Sequence, residues 1–201
     1  MRIVCLDLEG VLIPEIWIAF SEATGIRALR RTTRDEPDYD ALMRFRLDIL
    51  RQQGLKLADI TRVVSTLEPL EGAAPFTQAL REKTELIILS DTYEEFARPL
   101  MAKLAYPTLF CNSLVIAPDG SITNYRLRQK EGKKKAVQAL QSLNLEIFAA
   151  GDSFNDLAMI RAAEGGCLFR APQGIRESCR DIPCVDTYDE LLAQIVAFLN
   201  R

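Results

Sequence analysis

The chain has 201 residues, enough to bury one substantial core with a small second unit beside it. Its 25 basic and 28 acidic residues give a net charge of −3, which excludes the broad positive field of a protein that binds nucleic acid or an anionic membrane surface. Histidine is absent, so a Ser/His/Asp triad, a Cys/His dyad and imidazole zinc sites are excluded together, and catalysis is left to carboxylates, lysines and hydroxyls.

Along the chain, Ile3 to Leu8 is a short continuous apolar run, as expected of a strand covered on both faces. From Pro14 to about Leu67 only helical patterns follow, near Pro14 to Thr24, Tyr39 to Gln52 and Leu57 to Leu67, and Pro69 and Gly72 close the segment. An insertion directly after a strand end is placed to cover whatever lies at that end, so a helical cap domain is expected over residues 14–68 and a core domain over 1–13 and 69–201. The core then reads helix at Ala73 to Glu82, strand at Leu86 to Leu89 and helix at Glu94 to Leu104. Two β-leaning segments between Leu114 and Leu127 flank Pro118-Asp119-Gly120 and predict a small hairpin appended to the sheet. Helix at Lys133 to Leu143, strand at Glu146 to Ala150, helix at Asn155 to Ala163, strand at Gly166 to Phe169 and a last helix near Asp189 to Leu199 complete the chain. This alternation predicts an α/β fold, a Rossmann-like three-layer core with a parallel sheet between helices.

No segment has the length of a membrane span, and Asp7 and Glu9 break the N-terminal apolar stretch, which has no small-residue cleavage site; a cytoplasmic location is expected. The cysteines Cys5, Cys111, Cys167, Cys179 and Cys184 lack CxxC spacing and read as buried reduced thiols. Basic residues gather at Arg27 to Arg34 and Lys130 to Lys135, the first of which reads as a solvated face.

In an open α/β sheet, ligands bind where strands deliver their carboxyl ends, and Asp7, Ser90 and Asp152 each follow a predicted strand there. Asp7 and Glu9 alternate along an extended segment and should point the same way, which suits one as nucleophile and the other as acid/base.

The segments CLDLEGV, LIILSD, a downstream lysine and AAGDSFND, in that order, resemble the four motifs of the haloacid dehalogenase phosphohydrolase superfamily. Within it, the helical insertion and GDSFND resemble the phosphoserine phosphatase group. The stretches PEIWIAF, TTRD, GLKL, PLEG and LRQK, with Glu9 where the superfamily usually has aspartate, resemble a bifunctional branch that also transfers the phosphoryl group to homoserine. The resemblance implies O-phosphoserine and homoserine as substrates, with Asp7 forming an aspartyl phosphate and Glu9 protonating the leaving oxygen before activating the incoming nucleophile. It implies Mg²⁺ held by Asp7, the Glu9 backbone carbonyl and Asp152, with Asp156 supporting these ligands from behind. Ser90 and the Asp91 amide would donate to the phosphoryl group. Lys133, Lys134 and Lys135 all open a helix, and family alignment favours Lys133 as the residue that stabilises the phosphoryl oxygens.

Arg46 falls in the middle of the apolar arc Leu42, Phe45, Ile49 and Leu50 of its helix. It either meets the substrate carboxylate in a two-point contact or forms a salt bridge inside the cap. Glu15 either complements a helix dipole or, as the resemblance implies, meets the substrate ammonium; Asn155 would complete recognition. A phosphorylated receiver domain would not explain the insertion or GDSFND. A phosphatase of another small phosphomonoester, a phosphosugar or a nucleotide, is the main alternative, because substrate choice lies in the inserted helices. A homodimer is compatible with the sequence and not required by it.

Overall fold

A computed structural model describes residues 1–33, 35–36 and 38–201; Arg34, which belongs to the first basic cluster and to TTRD, lies outside the described residues. The strands are β1 (Arg2–Leu6), β2 (Leu86–Tyr93), β3 (Thr108–Ile116), β4 (Ile122–Arg126), β5 (Glu146–Gly151), β6 (Gly165–Phe169) and β7 (Cys184–Val185). They form one sheet in the order β4-β3-β2-β1-β5-β6-β7. Every pairing is parallel except β3 with β4, whose strands are joined by the predicted turn.

The helices are α1 (Ile16–Thr24), α2 (Tyr39–Gln53), α3 (Leu57–Thr66), α4 (Ala73–Arg81), α5 (Glu94–Lys103), α6 (Gly132–Gln141), α7 (Leu157–Ala162), α8 (Gln173–Ser178) and α9 (Tyr188–Leu199). Strand periodicity sorts them into layers. On β1, Val4 and Leu6 join a cluster with Phe76 and Leu80 of α4, Phe96 and Leu100 of α5, and Leu191 and Ile195 of α9. Ile3 and Cys5 point the other way and join Ala136 and Val137 of α6, Met159 and Ile160 of α7, and Ile175 of α8. The central strands are covered on both faces, as their unbroken apolar runs require. The inserted helices α1, α2 and α3 place Ile16, Phe20, Met43, Leu50, Ile60 and Val64 in the first cluster, so their apolar faces are continuous with the core. No helix among the described residues is long and apolar enough to cross a membrane.

Several elements differ from the sequence reading. β1 stops at Leu6, because Asp7 begins a turn. β2 runs past Leu89 to Tyr93, and its pairing with β3 shifts register between those residues, so Ser90, Asp91 and Thr92 form a bulge. β3 begins at Thr108, six residues before the expected hairpin, because its first half pairs with β2 and only its second half with β4. The helix expected at Asn155 to Ala163 is a 3₁₀ turn at Phe154–Asp156 followed by α7. β7 and α8 escape the sequence reading because they are short; β7 is held by tertiary bonds such as Arg170 N–H to the Val185 carbonyl at 2.8 Å. The five thiols are free; Cys5, Cys167 and Cys179 are buried, while Cys111 and Cys184 are half-buried.

Candidate active site

The turn after β1 is closed by its own backbone. Leu12 and Ile13 both donate to the Leu8 carbonyl, at 2.8 and 3.1 Å, and Gly10 donates to the Ile13 carbonyl at 2.9 Å. Leu8 is fully buried beneath the turn, while Asp7 and Glu9 on either side of it line one cleft. The expected common direction of these two carboxylates is therefore observed, although a turn and not the strand produces it. Gly10 sits at φ +77°, and a Cβ there would lie 2.6 Å from Oδ2 of Asp152. Only glycine fits both the backbone and the gap.

Glu9 Oε2 accepts the N–H of Ile16, the first residue of α1, at 2.9 Å. Glu15 occupies the helix-capping position, but its side chain makes no capping bond and lines the cleft instead. Burial pushes the Glu9 carboxyl above its usual range, partly offset by the bonds from Ile16 and Thr92.

Opposite this turn, the first turn of α6 delivers Lys133, which is buried. Its Nζ lies 2.8 Å from Oδ1 of Asp7 and 2.7 Å from Oδ1 of Asp156. Lys134 instead faces Glu131 at 3.9 Å near the surface, so the structure separates the three consecutive lysines by burial. Asp156 Oδ2 accepts the amides of Asp152 and Ser153, each at 3.0 Å, and the Ser153 hydroxyl at 3.2 Å. Gly151 permits this approach, since a Cβ there would lie 2.2 Å from the Asp156 carboxyl carbon. Asp156 is fully buried and ties the β5 end to Lys133, whereas Asp7 and Asp152 line the cleft.

The electrostatic balance of this group is negative. Asp7, Asp152 and Asp156 bring carboxylate oxygens within 4.8 Å of one another, and one ammonium meets two of them, Asp7 and Asp156. Burial would lower the Lys133 pKa, but Asp156, Asp7 and Asp91 hold it well above the ordinary lysine value, so the ammonium persists. Asp7 is nonetheless pushed well up, first by burial and then by Asp156, with Lys133 compensating only in part. An oxygen-rich, under-neutralised group of this kind, with room left by Gly10, suits a hard divalent cation.

The β2 bulge supplies the third side. Thr92 N–H donates to Ser90 Oγ at 3.2 Å. The Asp91 carbonyl accepts from the Tyr39 hydroxyl at 3.1 Å and from Asn112 Nδ2 at 3.0 Å. Its carboxylate accepts from Asn155 Nδ2 at 2.9 Å and stands 3.8 Å from Lys133 Nζ. Asp91 entered the sequence reading through its amide alone; its side chain and carbonyl are also engaged.

Arg46 of α2 lines the same cleft. It is buried, its guanidinium lies 4.5 Å over the Trp17 ring, and one amino group donates to the Arg31 carbonyl at 2.8 Å. Its Nε has no hydrogen-bond partner among the described residues. Burial lowers its pKa, while Tyr39, Glu9, Tyr93 and Glu15 act in the opposite sense. Ser90, Asp91, Lys133, Asp152 and Asn155 line the same cleft as Asp7, Glu9, Glu15 and Arg46. Trp17, Tyr39, Thr92 and Tyr93 also line it and were missed from the sequence. Trp17 lies within PEIWIAF, which was a signal; Tyr39 read only as the start of a helix, and Tyr93 lay between the expected strand and helix.

A haloacid dehalogenase-like hydrolase family model matches residues 1–164. The chain is 52% identical over 201 residues to a phosphoserine phosphatase of Pseudomonas syringae pv. tomato, a match spanning 100% of this chain and 85% of the relative. It is 51% identical over 201 residues to phosphoserine phosphatase ThrH of Pseudomonas aeruginosa, spanning 100% and 98%. A solved structure described as a phospho-aspartyl intermediate analogue of phosphoserine phosphatase has a TM-score of 0.78 at 17% identity, covering 96% of this chain and 97% of that one, and so shares the fold. The match across most of the chain, in the fold that carries the four motifs, places it: the chain belongs to the haloacid dehalogenase-like hydrolase family.

Proposed function

We propose that the protein is a Mg²⁺-dependent phosphoserine phosphatase that works through an aspartyl phosphate on Asp7 and also transfers the phosphoryl group to homoserine. The observation that carries this reading is one cleft lined by two unlike groups. The Asp7–Lys133 pair lines it together with a buried guanidinium whose Nε has no hydrogen-bond partner among the described residues. That combination of groups suits a small phosphomonoester that also bears a carboxylate. The names of the two half-identical relatives support it.

Asp7 Oδ1 is anchored by the Leu8 amide at 2.7 Å and by Lys133 at 2.8 Å, which leaves Oδ2 as the attacking oxygen. Glu9, its carboxyl raised by burial, gives a proton to the departing seryl oxygen and later takes one from water or from the homoserine hydroxyl. Ser90, the Asp91 amide, Asn155 and Lys133 bind the phosphoryl oxygens. Arg46 takes the substrate carboxylate and Glu15 its ammonium. Asp7, Asp152 and the Glu9 carbonyl would hold Mg²⁺, with Asp156 fixing them from behind. A bound Mg²⁺ offsets the combined charge of these carboxylates and a phosphate dianion. Residues 14–68 act as the cap, and 1–13 with 69–201 as the core. Homoserine carries the same ammonium and carboxylate as serine with a hydroxyl one methylene further out, so the groups that release serine can seat it, and positioning can outcompete water.

Phosphorus NMR of phosphoserine turnover tests this directly. Inorganic phosphate is expected from phosphoserine alone, and O-phosphohomoserine in addition when homoserine is present. Turnover surviving in Asp7→Asn would sink the covalent route, and phosphate alone at saturating homoserine would sink the transfer.

A further inference from the structure

Tyr39 opens α2, and Arg46 follows it by two turns on the same helix. Its hydroxyl lies 3.1 Å from the Asp91 carbonyl and 2.7 Å from the Tyr93 hydroxyl. A phenol has one proton, and a carbonyl can only accept. The proton on Tyr39 therefore goes to Asp91, and Tyr93 donates to Tyr39. The second donor to the Asp91 carbonyl is Asn112, whose own Oδ1 accepts the Arg128 amide at 3.0 Å. Asp91 is thus fixed from two sides. One anchor comes from within the sheet and the other from the inserted helix. The next amide, that of Thr92, serves Ser90; Asn112 holds this peptide from within the sheet, and the Tyr39 bond ties α2 to it.

The rings need no hydroxyl to stay in place. Tyr39 and Tyr93 both pack edge-on against Tyr125, with centroids 5.8 and 6.2 Å apart. The Tyr39 hydroxyl thus sits in a packed site, with its bond spanning the gap between α2 and the bulge. Both phenols line the cleft that holds Arg46 and Ser90.

We infer that Tyr39 is a positioning residue: its hydroxyl bond to the Asp91 carbonyl, braced by Tyr93, sets the register between Arg46 on α2 and Ser90–Asp91 on β2, so that both ends of an amino-acid phosphomonoester are gripped at once. The inference rests on the substrate reading above. A substrate without a carboxylate engages only the phosphoryl end and does not need this register.

The test is Tyr39→Phe, with Tyr93→Phe beside it, assayed on phosphoserine and on p-nitrophenyl phosphate, alone and combined with Arg46→Ala. Tyr39→Phe should lose about 10-fold in kcat/KM on phosphoserine, mostly in kcat, and stay within about 2-fold on p-nitrophenyl phosphate. In the Arg46→Ala background the same change should cost less than about 3-fold, because the register then has nothing to align. Tyr93→Phe should show the same selectivity with a smaller loss, and it carries the comparison if Tyr39→Phe does not fold. Equal losses on both substrates, or additive losses with Arg46→Ala, would overturn the inference and leave Tyr39 a packing residue. Wild-type protein that turns over p-nitrophenyl phosphate but not phosphoserine would overturn the substrate reading and this inference with it.

Discussion

Replacing Lys133 by methionine shortens the side chain by one atom, keeps an apolar stem and removes its charge. The Lys133 side chain is 5% exposed and its ammonium touches Asp7 at 2.8 Å and Asp156 at 2.7 Å, whose side chains are 7% and 0% exposed. At an effective dielectric constant of about 20, each contact is worth about 6 kcal/mol of attraction, most of it offset by the desolvation of three charges. The measurable cost is what remains when one partner of a buried group is taken away, about 3–5 kcal/mol. Here it is reinforced by the repulsion between Asp7 and Asp156 that the lysine had masked. For a chain of 201 residues this corresponds to a fall in Tm of about 6–20 °C. Urea denaturation followed by circular dichroism in EDTA isolates the effect from metal binding, and the midpoint should move at constant slope. Lys134→Met is the matched control: its pair with Glu131 is 3.9 Å long and half-exposed, so its effect should stay within about 0.5 kcal/mol. A Lys133→Met midpoint within that same margin, or equal losses for the two lysines, would refute the assignment of the buried charge balance to Lys133.

Gly10→Ala should abolish turnover and any rise in Tm on adding Mg²⁺. The new Cβ would meet Asp152 Oδ2 at 2.6 Å, and the residue would be held at φ +77°, costing about 1–2 kcal/mol from the backbone alone. A wild-type response to Mg²⁺ in a thermal melt would show that Asp152 is not part of a cation site. Arg46→Ala should lose about 2 kcal/mol of transition-state stabilisation on phosphoserine, about 30-fold in kcat/KM, as for a buried charge-assisted bond. Equal loss on p-nitrophenyl phosphate would return Arg46 to a role in packing Trp17 alone.

The order of elements, the parallel sheet and the strand ends at Asp7 and Asp152 were legible because apolar runs flanked by polar residues report strands buried on both faces. The inserted helices and the burial of Leu42, Arg46 and Leu50 were legible for the same reason, since local periodicity records which face meets the core; Phe45 and Ile49, expected in the same arc, are half-buried, and Met43 is buried in their place. What periodicity does not encode is how one loop meets another. Which of three consecutive lysines turns inward was decided by the start of α6 against the Asp7 and Asp156 carboxylates. The bulge that carries Ser90 to Thr92 arose from the pairing of β2 with β3, a register set between strands far apart in sequence. The requirement for glycine at positions 10 and 151 came from carboxylates that approach from Asp152 and Asp156. Tyr39 joined the cleft because α2 folds back onto β2, bringing its hydroxyl to a carbonyl 52 residues away in the chain. The sequence by itself thus determined the order of most elements and the chemical vocabulary of the site. Only the tertiary structure decided which side chains meet, because contact energies depend on distances that long-range packing sets.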